Sequence, residues 1–392
     1  MNILHITPSI AQEIGGPAKS VPALCKSLAA AGHSVSLYTT DWAHKNSKTK
    51  LSISEIKMPG LIIKIFPSEP GWYYPDLPNS KELVRAVAGT CKEFDIIDNH
   101  SLWNPVATFT MRLLRKVKAN YCLTPHGMLE PVSFDRNRWK KNIWALLWER
   151  ANVEGAALVQ FTSISEEESS KQKGWHLHYS VVIPNIIDLE EWKQLPPRYK
   201  FEERFPQVKG REVILFVGRI HWIKNIDKLV DAMTIVKRTF PNAMLVCAGP
   251  DSDGLQANLE QRARLQIGHE HLLFTGMLRG EELKAAYSCA DVFALVSRME
   301  SFGMAAAEAL ACGLPVVLSH GVNLGKELPD GGPVLHVAAE AEAIGEALVT
   351  LLQRSKDKGA PDAEALARAE KLFGISSVTR LIEAYSSIMR RN

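Results

Sequence analysis

No two of the six cysteines form a C-x-x-C pair; Cys25, Cys91, Cys122, Cys247, Cys289 and Cys312 are scattered, mostly in apolar segments. That spacing excludes a disulfide framework and predicts reduced core thiols in a cytosolic protein. Strong charge of one sign is missing as well. The net charge is +3 and the pI near 8.4, too balanced for a nucleic-acid binder. No window offers the ~20 uncharged apolar residues of a membrane span. The opening Met1-Asn-Ile-Leu-His-Ile-Thr7 lacks a basic n-region, so no signal peptide is expected. Repeats and low-complexity tracts are absent, and so is G-x-G-x-x-G, the fingerprint of nicotinamide and flavin sites. What is present is a 392-residue chain, 46% hydrophobic and 23% charged. That is the make-up of a soluble globular protein with two domains of ordinary size.

Apolar runs predict strands at 2–7, 34–39, 95–98, 121–124, 158–161 and 181–183, with helices at 21–31, 81–93 and 105–118 among them. Residues 41–80 read as irregular. Their second half is rich in proline and aromatics (Trp72, Tyr73, Tyr74, Pro75) and predicts a surface loop or acceptor flap. The stretch 136–150 is basic at its start and rich in tryptophan. It suits either an interfacial helix on anionic lipid or a core-packing helix with a solvated basic end, and the pattern favours the second. Periodicity fails over 189–210, where Pro196, Pro197 and Pro206 recur, as in an interdomain linker. Strands then follow at 213–217, 244–248, 272–275 and 292–296, each trailed by a loop and most by a helix. Such alternation predicts parallel sheets that deliver their loops to one edge.

The loops carry the chemistry. Gly15-Gly16-Pro17 permits close backbone approach in front of a helix, although a Gly-Gly pair alone is more often a plain turn. His100 and His126 end neighbouring strands and are expected to line a cleft; His126, between Pro125 and Gly127, is the stronger candidate. In the second half, Arg219 and Lys224 share a loop after a strand. A guanidinium fork and a mobile ammonium suit a diphosphate, the ordinary alternative being two solvated cations. Glu300 and Glu308 flank Ser-Phe-Gly-Met-Ala-Ala-Ala, about two helical turns apart. Ser301 reads as the helix cap. The amides of Phe302, Gly303 and Met304 then form a helix N-terminus that attracts anions and donates to hydroxyl oxygens. Accepting carboxylates beside donating amides suit a ligand rich in hydroxyls and phosphate, as in a nucleotide sugar. The bland alternative is an alanine-rich core helix with two solvated glutamates.

In order along the chain, Gly15-Gly16, Pro125-His126-Gly127, Pro184-Asn185 with Asp188, Gly218-Arg219 with Lys224, and Glu300 with Glu308 closely resemble the family 4 retaining glycosyltransferases of the GT-B fold. The resemblance runs over essentially the whole chain. It implies an α/β architecture of two doubly wound, Rossmann-like domains facing across a cleft. Residues 1–188 would form an acceptor-binding domain, completed by a C-terminal helix at about 376–392, and 189–375 the donor-binding domain. By the same resemblance Arg219 and Lys224 bind the donor diphosphate and stabilise it as leaving group. Glu300 holds sugar hydroxyls with the backbone of Phe302, Gly303 and Met304, and Glu308 binds the ribose. Met277 and Leu278 cradle the base, Gly16 approaches the phosphate, and His126 sits by the anomeric carbon. Gly15, His100 and Glu130 fall on the acceptor side.

The implied reaction is a metal-independent, front-face hexosyl transfer from a UDP- or GDP-sugar to a saccharide or lipid-linked saccharide. It needs no cofactor and no nucleic acid, and it belongs to polysaccharide or glycolipid assembly. Its expected place is the cytoplasm; only the interfacial alternative for 136–150 would add peripheral contact at the inner face of a membrane. Trp222-Ile223 ahead of Lys224, and Asn225 where a glycine is common, depart from the family pattern. Three rivals stand beside this reading: a nucleotide-sugar 2-epimerase using Glu130 or Asp135, a silent nucleotide-sugar binder, and a synthase acting on a small soluble phosphate.

Overall fold

The computed structural model describes residues 1–11, 15–43, 55–70, 77–130, 138–358 and 361–390. Trp72, Tyr73, Tyr74, Pro75 and Asp135, all named above, lie outside them, as does the start of the stretch 136–150. The chain divides into two compact units, Met1–Asp188 with Phe373–Asn392, and Leu189–Leu372.

In the first unit the strands are β1 (Asn2–Ser9), β2 (Ser34–Thr40), β3 (Glu55–Met58), β4 (Leu61–Phe66), β5 (Ile96–His100), β6 (Cys122–Thr124), β7 (Leu158–Phe161) and β8 (Ser180–Val182). They form one sheet in the order β3-β4-β2-β1-β5-β6-β7-β8, parallel except for the β3–β4 pair. Strands buried on both faces are mostly apolar; every residue of β7 is buried, and in β1 all but Asn2 and the half-buried Pro8, with His5, Thr7, Ser9 and Gln160 as the polar exceptions. Side-chain caps set the helix starts. Ser80 accepts from the Leu83 N–H, Asn104 from Ala107 and Ser163 from Glu166. The first helix, Gly16–Ala30, begins well ahead of the predicted residue 21, because Gly15 supplies a cap at φ 105° and Pro17 is preset for the first turn.

The β3–β4 hairpin overturns the irregular reading of 41–80. Leu61, Ile63 and Ile65 are buried and extend the sheet beyond β2, so an apolar run broken only by Lys64 outweighed the surrounding prolines. Helix 138–154 packs into the core as expected, through Trp144, Ala145 and Val153, but on one side only. The C-terminal helix Ile375–Met389 buries Val378, Leu381, Tyr385 and Ile388 against Leu24, Leu28 and Ile183 of the first unit.

The second unit has six parallel strands, β9 (Val213–Val217), β10 (Met244–Ala248), β11 (Leu272–Gly276), β12 (Val292–Leu295), β13 (Val316–Ser319) and β14 (Val334–Val337), in the order β11-β10-β9-β12-β13-β14. The region 189–210 is not an irregular linker. It holds the short helices Leu189–Lys193 and Tyr199–Arg204, which bury Trp192 and Phe201 in this unit. In open parallel sheets ligands bind outside the carboxyl ends of the strands where the order reverses. Here that point falls between β9 and β12, and in the first unit between β1 and β5.

Candidate active site

In the second unit the loops after β9 and β12 meet at the reversal point. Asn225 bridges them: its Nδ2 donates to the Val296 carbonyl at 2.9 Å, and its Oδ1 accepts from Arg298 Nε at 2.7 Å. Asn225 itself is left-handed, φ 53°, a conformation that asparagine tolerates better than most residues. The absent glycine therefore costs the loop little. The Arg298 N–H donates to the Ile223 carbonyl at 2.8 Å, and its guanidinium lies 5.6 Å from the Trp222 ring. On this frame Lys224 Nζ pairs directly with Glu300 Oε2. Arg219 is exposed at the start of the same loop, pinned where the Ile220 N–H reaches the Pro250 carbonyl at 2.8 Å. A Cβ on Gly249 would fall 1.9 Å from the Gly218 carbonyl oxygen, so the loops after β9 and β10 touch backbone to backbone and position 249 must be glycine.

Glu300 is held by its main chain, with its N–H on Gly321 O at 2.8 Å and its carbonyl accepting from Asn323 at 3.0 Å. Phe302 is buried, and the helix Met304–Ala311 starts at Gly303, φ 104°, rather than at the expected cap Ser301. A Cβ at 303 would press on Val322 at 3.1 Å and Leu295 at 3.2 Å. Gly303 offers no side chain to cap with, and the Ala306 N–H donates instead to the Gly303 carbonyl at 2.9 Å; a helix start without a side-chain cap is suited to an anion or a hydroxyl oxygen. Glu308 is only 2% exposed, with Oε2 accepting from the Tyr287 hydroxyl at 2.9 Å. Tyr287, buried edge-on against Trp192, is a site residue the sequence reading missed, as is Arg298. Met277 is exposed and Leu278 buried, just past β11.

The first unit contributes a row of histidines. Parallel register sets His5 of β1 beside Asp98 of β5, and His100 beside Thr124 of β6. His5 Nδ1 lies 2.9 Å from His100 Nε2, and His100 Nδ1 lies 3.0 Å from His126 Nε2. Behind them Asp98 accepts from the Tyr385 hydroxyl at 2.6 Å and from Thr124 at 3.2 Å. Burial holds His5 and His100 down at about 3 and drives His126 well below the usual imidazole range. It raises Asp98, against the pull of His5, Tyr385 and Thr124. All three imidazoles are therefore neutral at pH 7, and His126 works as a hydrogen-bonding group rather than a cation. His100 does not line a cleft. It lies in the strand, 1% exposed, with both ring nitrogens engaged by its histidine neighbours.

His126 is left-handed, φ 52°, and the next N–H, from Gly127, donates to Glu166 Oε1. Glu166 Oε2 accepts from the Thr162 N–H at 2.9 Å and its hydroxyl at 2.8 Å. Burial lifts this carboxyl to about 7, opposed by those donors and aided by Glu130. Glu166 is a fully buried carboxylate that the sequence reading did not single out. Gly15 is exposed, Gly16 half-buried and Glu130 buried.

Among the described residues His5, Asp98 and His100 have ligand atoms close enough to share a metal ion. These residues come from two strands and show no spacing signal in sequence. Their two nitrogens are already within hydrogen-bond distance of one another. The chain also holds one Asp-x-Asp, Asp251-Ser252-Asp253, which the sequence reading overlooked. Its carboxylates are engaged: Asp251 accepts from the Leu255 and Gln256 N–H groups at 3.0 and 3.1 Å, and Asp253 lies 3.4 Å from His221.

Two parallel-sheet α/β units with cations and carboxylates at the reversal point of the second define a glycosyltransferase of GT-B fold. Residues 14–191 match the model described as Glycosyltransferase Family 4, and residues 198–368 the model described as Glycosyl transferases group 1. A D-inositol 3-phosphate glycosyltransferase of Nocardia farcinica is 34% identical over 385 residues, 86% of this chain and 82% of that protein. An uncharacterized 41.2 kDa protein in cps region of Klebsiella pneumoniae is 26% identical over 242 residues, 61% of this chain and 64% of that one. The crystal structure of Anabaena HepE in complex with UDP and glucose matches with a TM-score of 0.73 at 19% identity, covering 99% of this chain and 100% of that one. The chain belongs to glycosyltransferase family 4.

Proposed function

We propose that the protein is a retaining, metal-independent hexosyltransferase that uses a nucleotide sugar and acts on a saccharide or lipid-linked saccharide, in polysaccharide or glycolipid assembly. The observation that carries this reading is the Lys224–Glu300 pair at the reversal point of the second unit, with Arg219 on the same loop and the Gly303 helix start alongside. A donor exchanges that ion pair for ligand contacts: Lys224 and Arg219 to the diphosphate, Glu300 to sugar hydroxyls. Glu308 takes the ribose, Met277 and Leu278 the base, and Gly16 lies near the phosphate. UDP is favoured over GDP by the UDP and glucose bound to HepE.

The bond from the anomeric carbon to the diphosphate oxygen breaks with its electron pair going to that oxygen. The acceptor hydroxyl then attacks from the same face and yields its proton to the departing phosphate. Arg219 and Lys224 stabilise the charge that develops there, which is the largest share of catalysis in such a site. His126, neutral and fixed by His100, donates or accepts a hydrogen bond at the sugar. Gly15 and Glu130 belong to the acceptor side. The test is product stereochemistry. Transfer from a UDP-α-hexose in EDTA is expected to give an α-linked product by proton NMR; a β-linked product would rule out retention.

A further inference from the structure

The helix Arg138–Trp144 passes through a π-helical turn, Ala145–Glu149, into Arg150–Glu154. Its inner side is anchored by Glu149, which accepts from the Trp103 N–H at 3.1 Å, the Thr108 hydroxyl at 2.5 Å and the Asn152 amide at 3.0 Å. A π turn inserts a residue and rotates the side chains that follow it. Here it keeps Glu149 and Asn152 inward while Leu146 and Leu147 both face out. The outer side is apolar too. Trp139 is 65% exposed, Ile143 49%, Leu146 82% and Leu147 56%. Steps of four and three or four residues put them along one face. Single exposed apolar residues need no explanation, but a contiguous stripe of four marks a contact surface.

The sequence leading into the stripe is one-sided in charge. Residues 105–148 carry eight Lys or Arg against two acids, Glu130 and Asp135, although the whole chain is only +3. No acid occurs between 136 and 148. Arg112, Arg115, Lys116 and Lys118 are exposed on the helix Pro105–Lys116 and the turn after it. Arg115 reaches Asn152 at 3.0 Å, which sets this cationic helix against the far end of the stripe. We propose that this face seats the protein on an anionic bilayer, with Ile143, Leu146, Leu147 and Trp139 entering the boundary of the acyl chains and the flanking cations meeting lipid phosphates. The proposal stands apart from the reaction assigned above, since none of these residues belongs to the donor loops.

Vesicle sedimentation tests it. The full chain is expected to pellet with phosphatidylglycerol–phosphatidylcholine vesicles at low salt, and to remain in solution with phosphatidylcholine alone or at high salt. The Ile143→Glu/Leu146→Glu double variant is expected to lose at least about tenfold in partitioning. Both positions are exposed, so its circular dichroism and melting midpoint are expected to match wild type. Folded wild type that ignores the anionic vesicles, or a double variant that binds them as well as wild type, would overturn the proposal. Self-association that the variant abolishes, without vesicle binding, would assign the face to a second copy and overturn it equally.

Discussion

Lys224→Ala and Glu300→Ala are each expected to lower turnover by about 10²–10³-fold or more, while the urea midpoint of either shifts little. The two effects separate because the ion pair is partly exposed and such pairs contribute about 1 kcal/mol or less to stability. The charge-swapped Lys224→Glu/Glu300→Lys variant distinguishes structure from chemistry. If the pair only ties two loops together, the swap restores activity. If Lys224 stabilises a departing diphosphate and Glu300 holds hydroxyls, the swap puts an anion beside the leaving group and activity stays lost. Nucleotide release from the donor, measured beside urea unfolding of the same samples, reads both quantities. Recovery of more than a tenth of wild-type turnover in the swapped variant would sink the assignment.

Acid is expected to destabilise the fold well before ordinary carboxylates titrate. His5 and His100 stay neutral in the folded chain down to about 3, whereas unfolded imidazoles protonate near 6.5. Below that pH the unfolded chain binds more protons, so stability falls as pH falls, by about 1.4 kcal/mol per unit for each group. His126 acts in the same direction. Glu166 acts in the other: its folded value of about 7 lies above the unfolded one, so its contribution is full below ~4.5 and is lost as pH rises through 7. Asp98, also raised, shares that sign. Three imidazoles outweigh two carboxyls, and urea unfolding at pH 7, 6 and 5 is expected to show a net loss on acidification. Glu166→Gln removes an opposing contribution, so its stability is expected to fall more steeply with acid, by about 1.4 kcal/mol per unit between pH 4.5 and 7. A flat profile would contradict neutral buried histidines, and an unchanged slope in the variant would contradict a raised Glu166 carboxyl.

What could be read before the structure was local. The strands Val213–Val217 and Met244–Ala248 are pure apolar runs between turn signals, Leu158–Phe161 is broken only by Gln160, and the predicted bounds of all three match. The loops bearing Arg219, Lys224 and Glu300 could be placed because a parallel βα alternation sends loops to one edge. The β3–β4 hairpin was hidden by the proline-rich tract beside it. Non-local pairing was hidden altogether. His5 and His100 are 95 positions apart and meet only through the β1–β5 register. Tyr385 reaches Asp98 across 287 positions. Glu166 sits in a polar helix whose sequence reads as solvated, and its burial follows from the two loops that close over it. The outward apolar stripe on 138–154 was masked by the same tryptophans that suggested core packing.

The central claim is that the loops after β9 and β12 bind a nucleotide sugar without a metal. The most direct measurement is the melting midpoint in EDTA with UDP, GDP, ADP and their hexose conjugates, on wild type and on the Arg219→Ala/Lys224→Ala double variant. A ligand that binds only the folded state raises the midpoint. The account predicts a rise with one nucleotide family in wild type and its loss in the variant. No rise with any nucleotide, or a rise undiminished in the variant, would contradict it.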